Sequence, residues 1–274
     1  MARNKHQDKS PAGSMSKSTS LAVISVFIVA FALGFLSNDF LKSQDFFSVD
    51  NKFIETSPAN EGDATVNVVA VTEDGTGIIG KANIELVSGR GRTLINTNPF
   101  IEPDTQFSAD TAISYAVNYT KKDIRNYDII VSFKVTDLGG KEINSSGQII
   151  GGPSAGAALT VATIAVLEGR EVRQDIAITG TVESDGQVGK VGSVLEKAEA
   201  AGKAGIKTFL VPKGQTVITN YEKVSTLEKS GPFTIRKVKY VPTTISLNNY
   251  TMENWNMSVI EVSRVEDALK YAVE

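Results

Sequence analysis

The stretch GGPSAGAALTVATIAVLEGR, Gly151 to Arg170, decides how the rest of the chain is read. From Ala158 onward it is apolar enough for a helix buried on all sides. Its first turn differs: Ser154 stands among Gly151, Gly152, Pro153, Ala155 and Gly156, with no bulky side chain nearby. Serine is a preferred helix N-cap, and taken alone the turn reads first as a cap. The flanking glycines cost backbone entropy that a cap does not require. Small neighbours let a substrate backbone approach, and the free amides at a helix start suit a developing oxyanion.

Composition narrows the chemistry. A chain of 274 residues holds one sizeable domain with additions, or two small ones, and its 41% hydrophobic content is ample for a core. The formal charge of -3 gives no electrostatic reason to expect a nucleic-acid partner. There is no cysteine, which excludes disulfides, thiolate nucleophiles and zinc-thiolate sites. The single histidine, His6, lies in a polar N-terminal tail, so the folded part can build neither a Ser-His-Asp triad nor a histidine metal site. No clustered carboxylate loop suggests calcium, and no metal or cofactor is expected.

A serine nucleophile then needs another base, and a desolvated lysine is the known substitute. The segment SVLEKAEAAGKAG selects one by helical geometry. At 3.6 residues per turn, Glu196, Glu199 and Lys203 share one side, while Lys197 groups with Ala200, Ala201 and Ala204. Ser193 and Glu196 form an S-x-x-E capping box, which would occupy Glu196 at the cap. Against this, a lysine at the edge of an apolar face can snorkel to solvent. Lys190, in the turn-like DGQVGK, is the second candidate base, in a place that leaves it exposed.

The chain divides by pattern. Residues 1–20 read as a disordered polar tail. Leu21 to Leu36 carries no charge and no proline, and with Phe40 and Leu41 it gives an expected transmembrane anchor over 21–41. It is long for a signal-peptide core and lacks a small-x-small cleavage site. Arg3, Lys5, Lys9 and Lys17 precede it, so the positive-inside rule expects a cytoplasmic N-terminus and an external domain. Residues 42–63 read as a linker, and 64–274 as one α/β (α+β) domain, because strand patterns alternate with helix patterns. ATVNVVAV, IIGKANIELV, YDIIVSFKV, DIAITGTV, KTFLVP and SVIEV read as strands, and GRGRTLIN as a further candidate. FSADTAISYAVNYTKK, SVLEKAEAAGKAG and RVEDALKYAV read as helices.

GPSAG, a TG dipeptide about 25 residues on, a GQV turn, a Glu-Lys helix and GIKTFLVP together closely resemble the proteolytic domain of Lon proteases. The resemblance covers about 64–274 and is specific over 150–212. VSGRGRTLIN and VSRVEDALKYAV match more loosely. It implies mixed sheets with packed helices, Ser154 as nucleophile, Lys197 as general base and Thr179 as the residue orienting that lysine. Gly152, Pro153 and Ala155 would shape the oxyanion and substrate approach. Many bacterial members carry an aspartate where Gly151 stands, and Lys213 to Asn256 is longer than the usual connection and reads as a surface loop or lid. No G-x-x-x-x-G-K-[ST] occurs, so an ATPase module is not expected, and the arrangement resembles membrane-anchored Lon-like proteins without one. Polypeptide substrates and a homo-oligomeric ring, a hexamer, are implied by resemblance only. A non-catalytic Lon-like scaffold, or a Ser/Lys hydrolase of another amide or ester, are the alternative readings.

Overall fold

The computed structural model describes residues 57–135, 149–230 and 233–274. The expected tail, the anchor at 21–41 and most of the linker lie outside them. Among the described residues no helix is long and apolar enough to cross a membrane.

A seven-stranded mixed sheet organises the domain. Its first two strands are Gly62–Val71 (β1) and Gly77–Ser88 (β2), joined by the EDGTG turn. Thr93–Ile95 (β3), Tyr127–Val135 (β4), Ile176–Ile178 (β5) and Thr208–Pro212 (β6) follow. Val217–Ser230 (β7) and Phe233–Ser246 (β8) form a separate hairpin, and Ser258–Val262 (β9) returns to the main sheet. The sheet order is β9-β6-β5-β1-β2-β4-β3. β1, β2 and β4 pair antiparallel, whereas β1, β5, β6 and β9 run parallel. Ile176, Ala177 and Ile178 in β5, like Phe209, Leu210 and Val211 in β6, are buried without alternation, as strands covered on both faces must be.

Among the described residues five helices cover the sheet. Pro103–Thr120 (α1), Gly156–Glu168 (α2) and Val265–Ala272 (α5) contribute to the larger core on one face. Val194–Lys203 (α3) and Leu247–Trp255 (α4) close a second core on the other, around Phe209, Val69 and Ile79. Every residue of α2 from Gly156 to Leu167 is buried. Its two interior threonines each satisfy their hydroxyl on the carbonyl four residues back, Thr160 on Gly156 and Thr163 on Leu159. Gly77 lets α3 seat closely on β2, since a Cβ there would stand 2.0 Å from the Glu196 carbonyl oxygen.

Three local expectations change. GRGRTLIN is mostly a loop, with only Thr93–Ile95 in the sheet. Buried Asp128 holds that loop, accepting from the amides of Arg90 and Arg92 at 2.8 and 2.9 Å and from the Arg92 guanidinium. The first helix starts at Pro103, not near Phe107, because proline at its first position fixes a helical φ without losing an intrahelical bond. The stretch Lys213 to Asn256, read as a surface loop or lid, holds the long hairpin and α4.

Candidate active site

Ser154 sits in a 3-10 turn, Pro153–Ala155, that runs directly into α2. Gly152 precedes it at φ +91°, a conformation that only glycine adopts readily, and this turns the chain from Ile150 into the helix head. The cap reading of Ser154 fails. Its position is inside the turn, the N-cap is Gly152, and no side chain caps the turn. The Ser154 hydroxyl is therefore not used in starting the helix. By position the Ser154 amide has no intrahelical acceptor, whereas the Gly156 and Ala157 amides donate to the Pro153 and Gly180 carbonyls.

The Ser154 carbonyl is clamped from β5. It accepts from the Gly180 amide at 2.9 Å and from the Thr179 hydroxyl at 3.4 Å, while the Ala157 amide donates to Gly180 at 3.0 Å. Thr179 is fully buried at the carboxyl end of β5, its own amide bonded to Leu210 at 3.0 Å. On its far side the Lys197 ammonium donates to its hydroxyl oxygen at 3.5 Å. Thr179 thus touches both the serine's turn and the lysine.

Lys197 is only 5% exposed, on the α3 face that also buries Val194, Ala198, Ala200 and Ala201. Desolvation lowers its pKa from 10.5 to about 8, with no neighbouring charge to restore the ammonium. Glu199 of α3 is engaged elsewhere, accepting from Tyr250 at 2.8 Å and pairing with Lys203 at 3.3 Å. The capping box is not formed, because Ser193 adopts φ +54° and its side chain caps nothing. Lys190 lies exposed at the cavity rim.

Ser154 and Lys197 line one cavity of about 330 Å³, with Gly151, Gly152, Pro153, Thr181 and the Val191–Ser193 loop. On its other side Ser154 borders a smaller cavity of about 50 Å³. This is walled by Val68, Ile78, Phe133, Val135, Ile150 and Ala155, and Lys134 is the only charged side chain of the described lining. Among the described residues no three carboxylates or histidines converge as metal ligands.

Sequence reasoning missed the first turn of α1. Asp104 accepts the Gly152 amide at 3.0 and 3.1 Å, Thr105 donates to the Gly152 carbonyl at 3.0 Å, and Ser108 donates to the Pro153 carbonyl at 3.0 Å. The Glu102 carboxylate fills the space that a Cβ at Gly151 would need, 1.9 Å from it. Acidic groups from α1 therefore stand beside Gly151. The available signal was short polar residues at 104, 105 and 108 after a proline, obscured because the helix was started too late.

A serine at a helix head and a buried lysine on one cavity are the parts of a hydrolase that uses lysine where others use histidine. The family model for the Lon protease (S16) C-terminal proteolytic domain matches residues 63–232, and the chain belongs to that family of serine proteases. The Lon protease of Chloroflexus aggregans is 51% identical over 61 residues, 22% of this chain and 7% of that protein. The archaeal Lon protease of Pyrococcus abyssi is 41% identical over 95 residues, 35% of this chain and 8% of that one. The Lon protease of Mycoplasma pneumoniae is 32% identical over 149 residues, 54% and 18% of the two chains. The chain thus matches less than a fifth of the length of each of these relatives.

Proposed function

We propose that this chain is a membrane-anchored, ATP-independent serine endopeptidase acting through Ser154 and Lys197 on unfolded or flexible polypeptides. The observation that carries the chemistry is Lys197: buried, without a carboxylate partner, and on the same cavity as Ser154. With a pKa of about 8, about a tenth of it is neutral at pH 7, against about 0.03% for a lysine at 10.5. That difference, more than 100-fold, is what lets lysine serve as a base.

Neutral Lys197 takes the Ser154 proton, the alkoxide attacks the peptide carbonyl, and the Ser154 amide at the helix head receives the oxyanion. Lys197 returns the proton to the leaving amine, then activates water to release the acyl group from Ser154. Thr179 positions the lysine, and Asp104 with Thr105 fixes Gly152 at the carbonyl's approach. The apolar run at 21–36 and the basic residues before it support the anchor and an external protease domain. The lack of a nucleotide-binding G-x-x-x-x-G-K-[ST] in these residues supports independence from ATP. A ring of identical chains fits the family resemblance.

Fluorophosphonate labelling and casein digestion test the reading. The protein should label and digest, Ser154→Ala should lose both, and Lys197→Ala should lose turnover while remaining folded. A wild-type protein that neither labels nor digests sinks the enzyme reading. Activity that survives Lys197→Ala but is lost in Lys190→Ala moves the base to Lys190.

A further inference from the structure

Apart from Ile218 at its base, which packs against the second core, the β7–β8 hairpin contributes to neither core, and its two strands pair only with each other. In an antiparallel ribbon, directly opposed residues share a face and alternate rungs point to opposite faces. Four alternate rungs, Tyr221–Pro242, Lys223–Tyr240, Ser225–Val238 and Leu227–Arg236, therefore form one continuous patch. It is wide open: Leu227 is 67% exposed, and Tyr221 and Tyr240 are each 63% exposed. Lys229 extends it towards the tip.

Charge separates the two faces. Both hairpin carboxylates, Glu222 and Glu228, lie on the opposite face with Lys237 and Lys239, and there Glu228 pairs with Lys237 at 2.7 Å. That face is neutral. It also carries Val224, Ile235 and Val241, 44%, 49% and 42% exposed, so the two faces differ in charge rather than in apolarity. The face with Tyr221 and Tyr240 carries Lys223, Lys229 and Arg236 and no carboxylate, on a chain whose net charge is -3. None of the three cations forms an ion pair among the described residues.

We infer that this face of the hairpin rests on an anionic lipid surface. Tyrosines with leucine, valine and proline suit the interfacial layer, where amphipathic rings sit at headgroup depth. Lysine and arginine with no internal carboxylate suit anionic headgroups. Positive charge confined to one face favours a flat anionic surface over an added peptide strand, which would engage the ribbon's edge and read both faces. The base of the hairpin shares a cavity of about 360 Å³ with the site's rim, Lys190, Val191 and Ser193 facing Gln215, Val217 and Ile218. A hairpin lying on lipid therefore holds the catalytic cavity close to the bilayer, where membrane-derived segments emerge. This surface does not depend on the peptidase reading, and Ser154→Ala protein should bind it equally well.

The chain lacks cysteine, so a single label reports one place. Full-length protein carrying Ser225→Cys, or Thr226→Cys on the opposite face, is labelled with an environment-sensitive nitrobenzoxadiazole dye. It is reconstituted into phosphatidylcholine vesicles with or without phosphatidylglycerol. The Ser225 label should brighten severalfold and shift blue only with phosphatidylglycerol. High salt or Lys223→Glu/Arg236→Glu should reverse the change, and the Thr226 label should stay in water. Equal response from both faces, or no response at Ser225, overturns the proposal. So does a response in detergent without phosphatidylglycerol that grows with protein concentration, which would assign the face to a second copy. A response that needs unfolded casein rather than lipid would assign it to polypeptide and equally overturn it.

Discussion

Replacing Lys197 by methionine should make the protein inactive and more stable at neutral pH. Methionine keeps most of the side chain's apolar length on the alanine face and removes only the ammonium. Lowering the folded pKa from 10.5 to about 8 means that the fold disfavours the charged form by about 3 kcal/mol. The unfolded chain then binds the proton more readily between those two pH values. The penalty is therefore fully present below about pH 8 and relieved as pH rises towards 10.5. Lys197→Met should gain about 3 kcal/mol at pH 7, about 2 at pH 9 and under about 0.5 near pH 10.5.

Urea unfolding followed by tryptophan fluorescence measures this directly, from midpoint shifts at unchanged slope. Trp255 is the only tryptophan, its ring lies over Gly202 of α3, and it meets Tyr250 edge-on at 5.6 Å. It therefore reports on the helix that carries Lys197. A gain at pH 7 that shrinks with rising pH supports a lysine kept dry for catalysis. No gain at pH 7, or a gain independent of pH, would refute the account, because the ammonium would then be adequately solvated in the fold.

Activity should report the same group from the other side. Acylation of Ser154 should rise with pH through an apparent pKa near 8, and fluorophosphonate labelling rates should follow the same curve. Thr179→Val, nearly isosteric at a fully buried position, should lower kcat by at least about tenfold with KM little changed, and should move the apparent pKa. A variant with normal kcat and pKa would leave Thr179 a purely structural residue. Asp104→Leu leaves the Gly152 amide without its acceptor and, because that bond is exposed, should cost about 0.5–1.5 kcal/mol in thermal or urea unfolding, with a fall in kcat. Asp104→Asn keeps an acceptor oxygen and should recover most of both. The apolar cavity beside Ser154 should favour an aliphatic or aromatic residue on the acyl side of the scissile bond, readable from cleavage products by mass spectrometry. Cleavage predominantly after acidic residues would remove that cavity from the reading.

What was legible in the sequence followed from periodicity and exclusion. The parallel strands announced themselves as short, uninterrupted apolar runs, and α2 as an apolar helix without a polar side. Lys197 could be singled out because its neighbours on the 3.6-residue period are alanines and because no histidine competes. Several misreadings concerned a backbone conformation or a partner that no local residue pattern carries. Ser193 has the residues of a capping box but adopts φ +54°, where the loop from β5 joins α3. Asp128 orders the glycine-rich loop 36 to 38 residues away, a role that no local pattern carries. The hairpin's alternating pattern lies within a long polar-looking segment. Both its faces are exposed and mix charged with apolar residues, which obscures the apolar period that a buried strand would show.

The fold explains how a lysine is kept dry beside Ser154. α2 precedes β5 and packs on one face of the sheet, while α3 follows β5 and packs on the other. At such a change of side, the carboxyl end of a parallel strand opens a crevice between layers. Thr179 is the first residue beyond β5, and it touches the Ser154 carbonyl from one layer and the Lys197 ammonium from the other. Each layer arrives with its own dry core, so the lysine reaches the crevice along alanines and meets no carboxylate. A histidine would need a third group to fix its tautomer and orientation. A lysine needs only exclusion of water and one hydroxyl to aim it, and the two flanking cores supply the first. The same economy makes the site sensitive to α3 as a whole. Ala201→Glu on that buried face would place a carboxylate in the second core, against the site's main requirement. It should destabilise the fold, and in any protein that still folds it should raise the Lys197 pKa. A folded Ala201→Glu variant whose pH–rate curve stayed at about 8 would show that dryness across the α3 face does not set the lysine's pKa.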